Sequence, residues 1–162
     1  MRKIFRQLLF CLGFVWVLPV NILVWIWLLY LEFTGQVQSV SFCSNLSLIW
    51  DIDNRSSFYK RMKGWYGFTL GSNIVCIDVY PKALYATHIR HETGHVYQQY
   101  IFGVLFFPVY ILTSVFMYFL LPKTSPYIDN FFEKWARKYA GQMVKIPSED
   151  RERYMKDRWP WW

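Results

Sequence analysis

The sequence predicts an α-helical membrane protein with a small β-hairpin, and three observations carry that prediction. Residues Leu8 to Leu31 hold no charged side chain over 24 positions, and at about 1.5 Å per residue such a run spans the roughly 30 Å hydrocarbon layer. A second uncharged run, Ile101 to Leu121, follows a helical segment that contains all three histidines of the chain. Between the two, residues 65–70 and 74–80 are β-rich and flank a Gly71-Ser72-Asn73 turn, the pattern of a hairpin.

Composition agrees with this. Of 162 residues, 54% are apolar and only 18% charged, which excludes a disordered or collagen-like chain. The 14 Phe, 12 Tyr and 9 Trp exceed what one small core hides, and lipid is the expected place for the excess. A net charge of +7 suits either nucleic acid or an anionic membrane face. The hydrophobicity favours the lipid bilayer, and no nucleic acid is expected as a partner, because the basic residues of the tail are interleaved with acids. The three cysteines form no CxxC cluster, so neither a thiolate zinc site nor a thioredoxin-like centre is expected. Cys11 sits inside an apolar run, which leaves Cys43 and Cys76 as the plausible disulfide pair.

Taken in order, residues 1–33 form an N-terminal transmembrane anchor. Arg2, Lys3 and Arg6 precede the apolar run as in a signal peptide, but the run exceeds the roughly 7–15 residues of a signal core and no small-x-small cleavage site follows. Trp25, Trp27 and Tyr30 would form an aromatic belt at its far end. The basic residues before the anchor, and their absence from Leu31 to Ile52, place the N-terminus in the cytoplasm and the following part outside. Residues 34–63 are expected to be a polar loop region with room for one short strand or helix. Residues 64–144 hold the hairpin, a helix over Ala83 to Tyr100, the second apolar run with its Gly103 and Pro108, and a helix over Ile128 to Met143. Residues 145–162 are a charged tail ending Trp159-Pro160-Trp161-Trp162, expected to rest on lipid headgroups.

Residues 91–95 read His91-Glu92-Thr93-Gly94-His95, an HExxH motif. Residues four apart share one helix face, so both imidazoles reach a single ion while Glu92 faces a water beside it. Zn²⁺ chemistry needs that arrangement, together with a third protein ligand and an open position. The longer HExxHxxGxxH pattern is excluded, because Gln98 and Ile101 stand where its Gly and His belong. His88, one turn before His91, is expected beside the metal rather than on it.

The segments Gly67-Phe68-Thr69-Leu70-Gly71, His91 to Gln99, and Asn130-Phe131-Phe132-Glu133-Lys134-Trp135-Ala136 resemble a group of small bacterial membrane-bound zinc metallopeptidases of gluzincin type. The resemblance covers about residues 64–141 and implies a zincin-like HExxH helix with a separate third-ligand helix. It makes Glu133 the third zinc ligand beside His91 and His95, and Glu92 the catalytic base. Relatives carry Asp after the Trp-Ala pair, where this chain has Arg137; Asp129, next to Asn130, is the candidate to orient a ligand imidazole in its place. Without the resemblance, Glu133 reads as a solvated residue paired with Arg137 at i+4.

The metal reading sets a topological condition. If Ile101 to Leu121 crossed the bilayer as one straight helix, Glu133 would lie about 30 Å from the histidines, so the run must re-enter or lie against the catalytic helices. The expectation is a membrane-anchored zinc peptidase acting on a peptide or protein substrate, with Phe68, Thr69 and Leu70 offering an edge strand to it. The alternative is a non-catalytic two-span membrane protein that binds a partner, or a metal-binding pseudoenzyme.

Overall fold

The computed structural model describes residues 2–43, 45–77, 82–121 and 129–142, so the Trp-rich tail lies outside the described residues. Among the described residues there are six α-helices and one small mixed sheet. The expected single span over Leu8 to Leu31 is instead two helices, α1 (Arg2–Trp16) and α2 (Leu18–Phe33), bent by 71°. Pro19 stands in the first turn of α2, where its missing N–H is tolerated, and it breaks the hydrogen bonding of a helix running through it. The bend also delivers Asn21 to the sheet, where its Oδ1 accepts from Ser72 N at 2.8 Å.

The stretch expected to be a polar loop holds three elements, β1 (Val37–Phe42), β2 (Leu48–Ile52) and α3 (Ser57–Arg61). With β3 (Gly67–Leu70) and β4 (Asn73–Cys76) the strands make one sheet in the order β1-β2-β4-β3. The expected hairpin is present as the antiparallel β3/β4 pair, while β2 and β4 run parallel. β1 escaped the sequence reading because nearly all of it is exposed, so no apolar alternation marks it.

Helices cover both faces of the sheet. On one face Val24, Leu28 and Leu31 of α2 pack on Trp50, Ile52, Val75 and Ile77. On the other, Ile49, Ile74 and Cys76 meet Val17 and, from α4 (Lys82–Phe102), Val96 and Tyr100. Trp25 and Trp27 turn inward instead of forming a belt: Trp25 donates to Asn73 Oδ1 at 2.9 Å, and Trp27 lies against Phe58 and Phe68. The cysteines are free thiols, with Cys76 buried and Cys43 packed against the same cluster.

Beyond α4 a 3-10 turn, Gly103–Leu105, leads into α5 (Phe106–Leu120). By length and composition the run Tyr85–Leu120 could cross a membrane, but it is not straight. Fifteen residues of continuous helix would separate His95 from Tyr110 by about 22 Å, whereas their ring centroids are 6.4 Å apart. The reversal occurs at Gly103, whose φ is +58° and whose absent side chain leaves the space taken by the Trp16 indole. Gly103→Ala is therefore expected to destabilise the protein by at least about 1–3 kcal/mol, through a left-handed alanine and a clash with Trp16, seen as a lower melting temperature.

After the reversal, α6 (Phe131–Ala140) lies against α4. Asn130 caps α6 by accepting from Phe132 N at 2.9 Å and donates to Ser114 Oγ at 2.9 Å, so the chain returns alongside α5. The two helices α4 and α6 approach so closely that a Cβ on Gly94 would lie 2.9 Å from Ala136 Cα.

Candidate metal centre

α4 aligns the motif residues. His91 and His95 are buried and four apart, and their Nε2 atoms are 3.2 Å from each other. α6 supplies the third group: Glu133, 3% exposed, lies with Oε2 at 3.3 Å from His91 Nε2 and Oε1 at 3.4 Å from His95 Nε2. The sequence-expected ligand set is thus gathered in one place, and Glu133 is not the solvated partner of Arg137 that its spacing alone suggests. A tetrahedral ion with ligand bonds of about 2.05 Å holds its ligand atoms about 3.3 Å apart. The two imidazole nitrogens fit that figure, Glu133 turns a different oxygen to each ring, and one ligand atom from each of the three residues lies within 4.8 Å of the others.

The orienting partners were only partly legible. His95 Nδ1 is 2.9 Å from Gln98 Oε1, and Gln98 Nε2 donates to Phe132 O at 2.7 Å. That second bond fixes the amide's direction, so Gln98 Oε1 accepts from His95 Nδ1–H and the ring presents an Nε2 lone pair to the centre. His91 Nδ1 lies 3.0 Å from Gln142 Oε1, and Tyr110 donates to Glu133 Oε1 at 2.8 Å. Gln98, at i+3 from His95, could have been found by helical spacing; Gln142 and Tyr110 depend on tertiary folding. Asp129, expected to orient an imidazole, instead pairs with Lys134 at 3.5 Å, and Asn130 serves as the cap of α6.

Electrostatics follow the geometry. Burial alone would raise the Glu133 carboxyl, but the charge and hydrogen bonds of His95 and His91 hold it well below the usual carboxylate range. Burial works against a charged His95, yet the Glu133 carboxylate outweighs it and lifts the imidazole to about 9. Lone pairs from two rings and a carboxylate converge here, and a cation relieves their repulsion, either a proton or a metal. Truncating Gln98 to Leu should lower metal affinity by roughly 10–100-fold, measured by competition with a chromogenic chelator.

Glu92 is buried beside this centre, with Oε2 accepting from the Thr69 hydroxyl at 2.7 Å. Its Oε1 is 3.9 Å from His88 Nε2, a buried atom with no hydrogen-bond partner. Burial pushes the His88 imidazole below its ordinary value, against the pull of Glu92. No family model, curated protein or solved structure matches this chain.

The three strand residues divide by face. Phe68 and Leu70 pack toward α2, while Thr69 meets Glu92. β3 is at an edge of the sheet, and the bond from Ile77 N to Tyr66 O sets the alternation so that the backbone of Gly67, Thr69 and Gly71 points outward. Gln99 already occupies part of that edge, donating to Thr69 O and accepting from Gly71 N.

Proposed function

We propose that the protein is a membrane-associated zinc peptidase. The observation that carries this reading is the convergence of two buried imidazole nitrogens and a buried carboxylate, with one ligand atom from each of His91, His95 and Glu133 within 4.8 Å of the others. Two imidazoles and a carboxylate with a fourth position left open are the donor set of a hydrolytic zinc site, and a zinc ion held there lowers the pKa of water toward about 7 and polarises a carbonyl.

The chain's own residues supply the rest. Glu92 takes the proton of the attacking water and returns it to the departing amine. Thr69 holds one of its carboxylate oxygens, so the other is the one free to receive a proton. An extended peptide adds to β3 through the outward groups of Gly67 and the Thr69 N–H, with Gln99 closing the strand beyond them. Gln98 keeps the His95 ring aimed, and Tyr110 steadies Glu133.

The test is metal analysis and peptide hydrolysis by the full chain purified in detergent. One zinc per chain, with cleavage lost to a chelator and restored by zinc, is the expected result. Purified protein without metal, or with metal and no hydrolysis of any peptide in a broad library, would favour the non-catalytic alternative.

A further inference from the structure

We infer that α1 and α2 lie in the plane of an anionic membrane interface rather than crossing it, which keeps the N-terminus and the metal centre on one side. This deepens the membrane part of the function proposed above and is independent of the peptidase part. The positions that α2 buries are Asn21, Val24, Leu28 and Leu31, a stripe that runs the length of the helix and seats it along the sheet. The opposite stripe, Ile22, Leu23, Ile26, Leu29, Tyr30 and Phe33, is exposed. In α1 the residues Leu8, Leu9, Leu12, Val15 and Trp16 are exposed with the same spacing, while Phe10 and Phe14 pack toward the core. Among the described residues, each arm therefore leaves one apolar face largely uncovered, with Trp16 at the end of α1 resting on Gly103.

Three features identify lipid in the plane as the occupant. First, α2 cannot thread a bilayer without carrying the sheet with it. The far strand β1 is a sheet edge that exposes Gln38, Ser39 and Ser41, and open strand edges are not found in hydrocarbon. Second, α1 has 15 residues and is about 22 Å long, short of the roughly 30 Å layer. Third, the flank of α2 is basic. α3 is tied to it through the Phe58–Trp27 ring contact and through Gln36, which accepts from Ser57 Oγ and Phe58 N. Around α3 the side chains of Arg55, Lys60, Arg61 and Lys63 are exposed, against the nearby acids Glu32 and Asp53. Such a rim beside an apolar helix face suits anionic headgroups.

The full chain, carrying protease sites before its first residue and in the exposed turn at Asn54, is prepared in right-side-out and inside-out membrane vesicles. Cleavage of both sites in the same vesicle orientation is expected; cleavage in opposite orientations would overturn the proposal. Protein that remains out of the membrane fraction, or a lipid-free dimer that shields these helices, would overturn it as well, and in either case bound zinc still reports separately on the metal centre. The double substitution Lys60→Glu and Arg61→Glu should weaken binding to vesicles containing phosphatidylglycerol by about tenfold or more, with little change on phosphatidylcholine alone. Binding of the double variant to the phosphatidylglycerol vesicles as tight as that of the wild type would refute the charged rim.

Discussion

Glu92→Gln should keep a full complement of zinc and lose peptide hydrolysis by roughly 10²–10⁴-fold in kcat, the usual worth of a positioned general base. Glutamine fills nearly the same space, and its carbonyl oxygen can still accept from Thr69, whose hydroxyl is 2.7 Å from Glu92 Oε2. What disappears is the ability to take a proton. Zinc content and melting temperature serve as controls, since Glu92 stands outside the trio that would hold the ion. A Glu92→Gln protein with wild-type turnover would remove the base from the mechanism and leave only a metal site.

Glu133→Ala should cost more metal affinity than the 10–100-fold typical of an orienting partner, because it deletes one of three donors. Its second readout is pH. In metal-free protein, Glu133 raises His95 to about 9 against the opposing effect of burial. A raised histidine contributes stability that is fully present below its unfolded value of about 6.5 and is lost as pH rises through about 9. The metal-free melting temperature should therefore fall across that window, and Glu133→Ala should flatten the trend. Zinc-loaded protein should also show little of it, since the ion replaces the proton. An unchanged slope in the variant would mean that the carboxylate does not govern His95.

The site was more legible than the fold around it. HExxH announces itself because four-residue spacing on a helix is a local property, whereas nothing in the spacing of residues 130–136 shows that Glu133 will lie beside the two histidines. The partners of the candidate ligands were hidden for the opposite reason: Gln142 is 51 positions from His91 and Tyr110 is 23 from Glu133, contacts that only the tertiary fold creates. The apolar run over Leu8 to Leu31 has the composition of a span. Hydropathy has no means of registering that Asn21 will be drawn to a strand turn 51 residues away. The polar stretch left room for one short element but gave no position for β1 or β2, the first because its side chains are exposed, the second because it is a short buried pentapeptide in a polar neighbourhood.

The two middle positions of HExxH are commonly regarded as free to vary, and Gly94 shows why one of them is not free here. A methyl group at that position would press on the Ala136 main chain from 2.9 Å and lever the neighbouring helix outward. Glu133 is carried on that helix one turn away, so the width of a single hydrogen atom sets how near its carboxylate comes to the two imidazoles.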